Sequence, residues 1–145
     1  MIKINKSKKG FTLVEVIIAM VLIMGTVAIF STVAYSSIKV GNSNKQSLEG
    51  SIIAQNYLEV IKSNKESGSI KDFATLESFI KTSDFTLTEG RYFKTHIKDN
   101  IKYDVYIRLT ITESSEVGEL IDIIMEVKPQ DGKLIKMGTK LYLVN

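Results

Sequence analysis

The sequence predicts an α+β chain in which a long N-terminal helix, half membrane-type and half amphipathic, packs on a small antiparallel β-sheet. Three observations carry this. Residues 16–38 contain no charged side chain. Ala54, Tyr57, Leu58 and Ile61 recur at helical spacing. From Phe85 onward the apolar residues alternate with a period of two.

The apolar run comes first. As a helix, residues 16–38 rise about 34 Å, enough to cross a hydrocarbon core about 30 Å thick. One carboxylate, Glu15, stands at its start. A carboxylate near the middle of a span costs roughly 2.5–3.5 kcal/mol, and a position at the edge lowers that cost without removing it. The first turn also suits Glu15 because the helix dipole is positive there. Were the chain cut between Gly10 and Phe11, the new α-amino group would stand four residues before Glu15, on the same helix face, and the two charges could neutralise each other within one chain or between neighbours.

Charge sorts by region. The chain has 145 residues, enough for one domain, and a formal net charge of +3. Lys3, Lys6, Lys8 and Lys9 lie in the first ten residues, which hold no acid, and without them 15 basic face 16 acidic residues. The basic excess therefore belongs to the leader, where it fits retention on the cytoplasmic side. There is no cysteine, so disulfides and thiolate metal sites are excluded.

Lys8-Lys9-Gly10-Phe11-Thr12-Leu13-Val14-Glu15 and the apolar tail behind it resemble the processing site of type IV pilin and type II secretion pseudopilin precursors. The resemblance covers residues 1–40. It implies that a prepilin peptidase cuts between Gly10 and Phe11 and N-methylates Phe11, that Lys8 and Lys9 are the basic end of the leader, and that Glu15 guides assembly. It divides the chain into a cleaved leader (1–10), a transmembrane and filament-core helix (11–40), and an amphipathic half-helix with a C-terminal β domain (41–145). The implied partners are the peptidase, other pilin or pseudopilin subunits, an inner assembly platform protein and membrane lipid before assembly. The implied location is a single pass in the cytoplasmic membrane with the C-terminal domain outside, then a surface or periplasmic filament. The stretch from Ile53 to Ile61, with Ala54-Gln55 and Leu58-Glu59, also resembles the I/V class of minor pilins. Two other readings compete for the apolar run. Thr32-Val33-Ala34 imitates an ordinary secretory cleavage site, and an uncut signal anchor would carry an extracellular binding domain outside any filament.

Gly25 interrupts the apolar run as a weak point or a site of close helix packing. Thr32 stands where many major pilins carry a helix-kinking proline. Beyond the polar patch Gly41-Asn42-Ser43-Asn44, Ile53 and Val60 widen the face set by Ala54, Tyr57, Leu58 and Ile61, while Leu48 and Ile52 point away from it, toward a neighbouring subunit. The helix is expected from Phe11 to Ser63, about 80 Å. After the turn residues 64–68, Ser69 and Asp72 suggest a capping box opening a short helix over residues 70–80.

The remainder reads as strands. Residues 85–88 and 91–97 flank Glu89-Gly90, and Asp99-Asn100 is a second turn. Tyr103, Val105, Ile107, Leu109 and Ile111 face one way, then a turn spans residues 114–118. Ile121, Ile123, Met125 and Val127 form the next inward row. Asp131-Gly132, after Pro129-Gln130, signals a tight hairpin into a last strand that turns Ile135, Met137, Thr139, Leu141 and Leu143 inward. Such alternation implies one buried sheet face.

Catalytic chemistry finds little support. The chain has one histidine, His96, on an exposed hairpin, where a solvent-facing or packing role is expected. Asp104, Asp122 and Glu126 read as outward carboxylates of strands. Asp99-Asn100 lacks the several oxygen ligands that calcium needs, and no glycine-rich phosphate loop is present. The expectation is a structural protein rather than an enzyme, with no cofactor and no metal. Arg91-Tyr92-Phe93-Lys94-Thr95-His96 interleaves basic and aromatic residues, a pattern that binds single-stranded DNA when exposed, and a half-buried strand is the alternative.

Overall fold

The computed structural model describes residues 11–144. The expected leader, with Lys8, Lys9 and Gly10, lies outside them. Two helices precede five strands: α1 (Leu13–Glu66), α2 (Phe73–Thr82), β1 (Thr86–Thr88), β2 (Arg91–Lys98), β3 (Ile101–Ser115), β4 (Gly118–Pro129) and β5 (Ile135–Val144). All strand pairs are antiparallel, and the sheet order β1-β2-β3-β4-β5 follows the chain. The predicted α+β architecture, a long N-terminal helix followed by an antiparallel sheet, is the one observed.

The chain divides into two compact units, Met1–Val40 and Gly41–Asn145. In the described part of the first, every residue of α1 is exposed. Eighteen large apolar side chains, from Phe11 to Val40, are bare, with Phe11 83% and Phe30 74% exposed. Burying each is worth about 1.5–3 kcal/mol, so leaving all of them in water would cost more than a folded domain's whole stability. This segment requires lipid or protein around it. The hydroxyls of Thr26, Ser31 and Thr32 donate to the carbonyls of Ile23 (2.8 Å), Val27 (2.8 Å) and Ile29 (2.7 Å), so these three find acceptors within the helix itself. Thr32 sits inside continuous helix, as does Gly25, where an added Cβ would meet nothing within 4 Å.

In the second unit, α1 from Gly41 onward lays one face on the sheet. Ile53, Ala54, Leu58 and Ile61 are buried, and Tyr57 packs at their margin edge-on to Phe85, 5.3 Å between ring centroids. Val60 was expected to widen this face, yet it is 47% exposed. The face runs instead toward the N-terminus, through Gly50 and Gln46, both buried. Four-residue steps from Gln46 to Gly50, Ala54 and Leu58 keep one side of the helix inward. Leu48 and Ile52 are exposed, at 63% and 38%.

The sheet's inner face is the core. Tyr103, Val105 and Ile107 on β3, Ile121, Ile123, Met125 and Val127 on β4, and Leu141 and Leu143 on β5 are all 5% exposed or less. The predicted inward row of β3 fades toward its end: Leu109 is half-buried and Ile111 is 43% exposed. A register shift between Ile111 and Glu113 ends the strict alternation. The strands β3 and β4 then run almost to their junction, leaving Glu116-Val117 where a turn over 114–118 was expected. Gly118 is required there, because a Cβ would lie 2.3 Å from the Leu143 carbonyl oxygen.

Three local expectations change. Asp72, not Ser69, caps α2: its Oδ1 accepts from the Thr75 amide at 2.7 Å, while Thr75 Oγ1 accepts from the Asp72 amide at 3.1 Å. These bonds hold the Asp72 carboxyl below the usual carboxylate range. Second, Glu89-Gly90 and Asp99-Asn100 take positive φ at both positions, as tight two-residue hairpins require. Asp131-Gly132 does not, and residues 130–134 form a five-residue connection instead. Third, α1 holds that connection. Gln46 Oε1 accepts from the Asp131 amide at 2.9 Å, and Ser47 Oγ accepts from the Lys133 amide at 3.2 Å. Tertiary partners replaced the local hydrogen bonds of a hairpin turn. Gln46→Ala would orphan a part-buried amide, at a cost of about 1–3 kcal/mol. Amide exchange at Asp131 is expected to accelerate selectively, with strand amides of β3 unaffected.

Candidate functional site

At its N-terminus, α1 is closed by a reciprocal pair. The Thr12 amide donates to Glu15 Oε2 at 3.4 Å, and the Glu15 amide donates to Thr12 Oγ1 at 3.3 Å. The Thr12 carbonyl starts the helical ladder by accepting from Val16 at 3.2 Å. Thr12-x-x-Glu15 is thus a capping box, a spacing visible in the sequence. Glu15 therefore has a local task, satisfying a first-turn amide, in addition to carrying a negative charge beside the place where a Gly10–Phe11 cut would create an amine. Phe11 stands just outside the helix and is exposed. Gly10, Lys8 and Lys9 lie outside the described residues.

Several polar side chains of the β domain are held in pairs. Tyr92 is buried on β2 and donates its hydroxyl to Glu77 of α2. That bond, with the Lys81 ammonium 3.5 Å away, keeps Glu77 below the usual carboxylate range, whereas burial first and Glu77 second push the Tyr92 phenol well above its ordinary value. The depressed carboxylate stabilises the fold at neutral pH and loses that contribution as pH falls through its folded value. The raised phenol loses its contribution as pH rises through its own. Lys98 pairs with Glu49 of α1, which raises the lysine's pKa. Asp104 accepts from Thr95 at 3.1 Å, Glu126 lies 3.5 Å from Lys136 and 3.8 Å from Arg91, and Asp122 lies 3.8 Å from Lys140. Among the described residues no three His, Cys, Asp or Glu side chains gather as metal ligands.

His96 is half-buried on the inward side of β2, at an apolar groove of about 350 Å³ that includes Ile52, Tyr57, Val60 and Lys98. The six residues from Arg91 to His96 divide between the two sheet faces. Tyr92 is buried, and Lys94 turns the same way, donating to the Ser83 carbonyl at 2.8 Å and sitting over the Phe85 ring. Arg91, Phe93 and Thr95 lie on the opposite face.

Comparison with known families bears on the N-terminal segment. The family model for the prokaryotic N-terminal methylation motif matches residues 5–34. The chain carries a prepilin-type signature. This motif marks type IV pilins and pseudopilins, and the match takes in Lys8, Lys9, Gly10, Phe11, Glu15 and most of the apolar helix. The membrane-type composition, the exposed apolar surface and the signature coincide on one segment. Among the described residues, α1 is long and apolar enough to cross a membrane. Neither a curated protein nor a solved structure matches the chain.

Proposed function

We propose that this chain is the precursor of a structural subunit, a minor pilin or pseudopilin, of a type IV pilus-like filament. The observation that carries the reading is the prepilin-type signature over residues 5–34, together with an apolar helical segment that no described residue covers. Prepilin peptidase cuts between Gly10 and Phe11 and methylates the Phe11 amine. Lys8 and Lys9 hold the leader at the cytoplasmic surface before the cut. The segment 11–40 spans the cytoplasmic membrane as a single pass, with residues 41–145 outside, and an assembly platform protein passes it into the filament. There other pilin or pseudopilin subunits replace lipid around the apolar helix, and Glu15 offsets a terminal amine in a surroundings that lacks water. The motif's family is one of structural subunits, which supports a structural rather than an enzymatic role.

The N-terminus decides the matter. Precursor expressed with active prepilin peptidase is expected to yield a mature chain starting at methylated Phe11, read by mass spectrometry. Without the peptidase, Met1 should remain. A start near Tyr35, or an intact Met1 despite active peptidase, would overturn the proposal in favour of a secreted or membrane-anchored binding domain.

A further inference from the structure

One edge of the sheet is open. The strand β5 stands last in the order, and among the described residues no strand lies beyond it. Nor does its backbone bond to other backbone outside the ladder with β4. In an antiparallel ladder alternate residues face the partner, so along these ten residues every second one turns its N–H and C=O away from β4. The other free stretches are guarded. At the opposite edge β1 is three residues long. The strand β3 runs past β2 from Arg108 onward, but the register shift between Ile111 and Glu113 falls within that stretch. Short edges and bulges are how folded proteins prevent unwanted strand pairing. By contrast, β5 pairs with β4 in unbroken register from Ile135 to Val144 and contains no proline.

The side chains along this edge define what fits it. Toward the core, Ile135, Met137 and Thr139 stay half-buried, whereas Val127, Met125 and Ile123 across from them on β4 are fully buried. The apolar layer is thus incompletely covered at its rim. On the outer face Lys136, Gly138 and Lys140 stand in one row, all exposed. Residues 135–144 hold no acid. The carboxylates of Glu126 and Asp122, 3.5 and 3.8 Å from the two ammoniums, belong to β4. A strand added outside β5 would stand about 5 Å from the lysine row and about 10 Å from those acids. Beyond the row, Asp131 and Lys133 in the preceding connection offset each other, and Glu119 lies at the far end, across from Leu143. Gly138 is not demanded by its own surroundings. Its φ is not positive, and a Cβ there would meet only the Ile123 carbonyl oxygen, at an ordinary 3.6 Å. Glycine inside a strand weakens it, and here it leaves a gap between the two lysines. An aromatic ring on a neighbouring strand covers such a gap.

We propose that β5 is a docking edge that takes an extended segment of a partner protein as a sixth strand. The segment that fits carries two acidic residues four apart, with an aromatic residue midway, on one face, and aliphatic residues on the other. Its carboxylates pair with Lys136 and Lys140, its ring covers Gly138, and its aliphatic side chains extend the layer beside Ile135 and Met137. Backbone bonds to the free edge supply affinity, and the alternating side chains supply selectivity. The β5 strand of a second copy does not meet this description. Laid antiparallel with its apolar row inward, it would crowd two further lysines onto the same row and bring no acid. This inference stands independently of the filament reading.

The test uses the whole chain in an uncharged detergent, with Lys3, Lys6, Lys8 and Lys9 changed to serine in every protein compared, so that the leader offers no site to an acidic peptide. The probe is a fluorescent peptide, Val-Glu-Val-Tyr-Val-Glu-Val, followed by anisotropy, while amide exchange reports where it binds. Exchange is expected to slow at alternate residues of β5. Replacing both glutamates of the peptide by lysine should weaken binding by roughly tenfold or more, because two attractive cross-strand pairs become repulsive. Gly138→Thr should weaken binding several-fold and leave the urea midpoint of the β domain unchanged or higher, since threonine suits a strand better than glycine. Absence of binding, equal binding of the lysine peptide, or binding that leaves exchange in β5 unchanged would overturn the proposal. So would slowing of β5 exchange with rising protein concentration alone, which would make a second copy the occupant.

Discussion

Glu15→Ala is expected to leave the chain in the membrane and to lower its incorporation into filaments by roughly a hundredfold or more, the scale of effect when one charge of a buried pair loses its partner. The direction follows from where the carboxylate sits. It opens a segment whose apolar side chains are all exposed, so membrane insertion gains from its removal rather than suffering. Assembly differs, because a terminal amine at Phe11 would enter a bundle of apolar helices with no water to solvate it. The capping geometry demands a second variant. Glu15 also accepts the Thr12 amide at 3.4 Å, and alanine would abolish that bond together with the charge. Glu15→Gln retains an acceptor at the same position, and glutamine serves a capping box as glutamate does. If the charge is what assembly uses, Gln and Ala variants fail alike. If Gln restores incorporation, the helix cap is what mattered, and neutralisation of the amine is the wrong account. Sheared-filament yield, measured beside membrane content by immunoblot, separates these cases.

How much of this was legible beforehand depended on the range of the forces concerned. The apolar segment, the inward row Ile121, Ile123, Met125 and Val127, and the turns Glu89-Gly90 and Asp99-Asn100 follow from periodicity and local backbone preference. Each needs only neighbours a few residues away. What escaped was set by distant partners. Asp131-Gly132 reads as a hairpin, yet the Asp131 amide bonds to Gln46, 85 positions earlier. Gln46 and Gly50 were not expected in the helix face because neither looks apolar. A glutamine is buried there only because an amide waits for it, and a glycine because Ile135 approaches to within 2.7 Å of where a Cβ would be. The motif around Gly10 and Glu15 was fully visible because its residues are contiguous in the chain. The outer sheet face was hidden for the opposite reason. Its members come from four strands and meet only after pairing, whereas Arg91 to His96, contiguous in sequence, is divided between two faces by the pleat.

The sheet's two faces should also differ sharply in what they contribute to stability, and the neighbours Ile123 and Ile124 make the comparison within one strand. Ile123 is fully buried between Leu109 and Thr139 in the core layer. Ile124 points the other way, half-buried between Arg108 and Gly138. Truncating a buried isoleucine to alanine costs about 2–5 kcal/mol, the spread reflecting how far the surroundings collapse into the cavity. Collapse is limited here. Neighbours on β3 and β5 are fixed by ladder hydrogen bonds, and the helix face above is held by Gln46 and Glu49 through their bonds to the sheet unit. Ile123→Ala should therefore fall in the upper part of that range, a large share of the roughly 5–15 kcal/mol that stabilises a typical domain. Ile124→Ala loses less, since part of its surface already meets water and Gly138 opposite leaves room to relax. Urea-dependent proteolysis of the detergent-solubilised chain reads both through the midpoint for loss of the β domain. A much lower midpoint for the Ile123 variant than for the Ile124 variant is the expected result. Equal midpoints would mean that the inner layer is not the principal source of cohesion, and that the pairs on the outer face carry a share of stability which their exposure argues against.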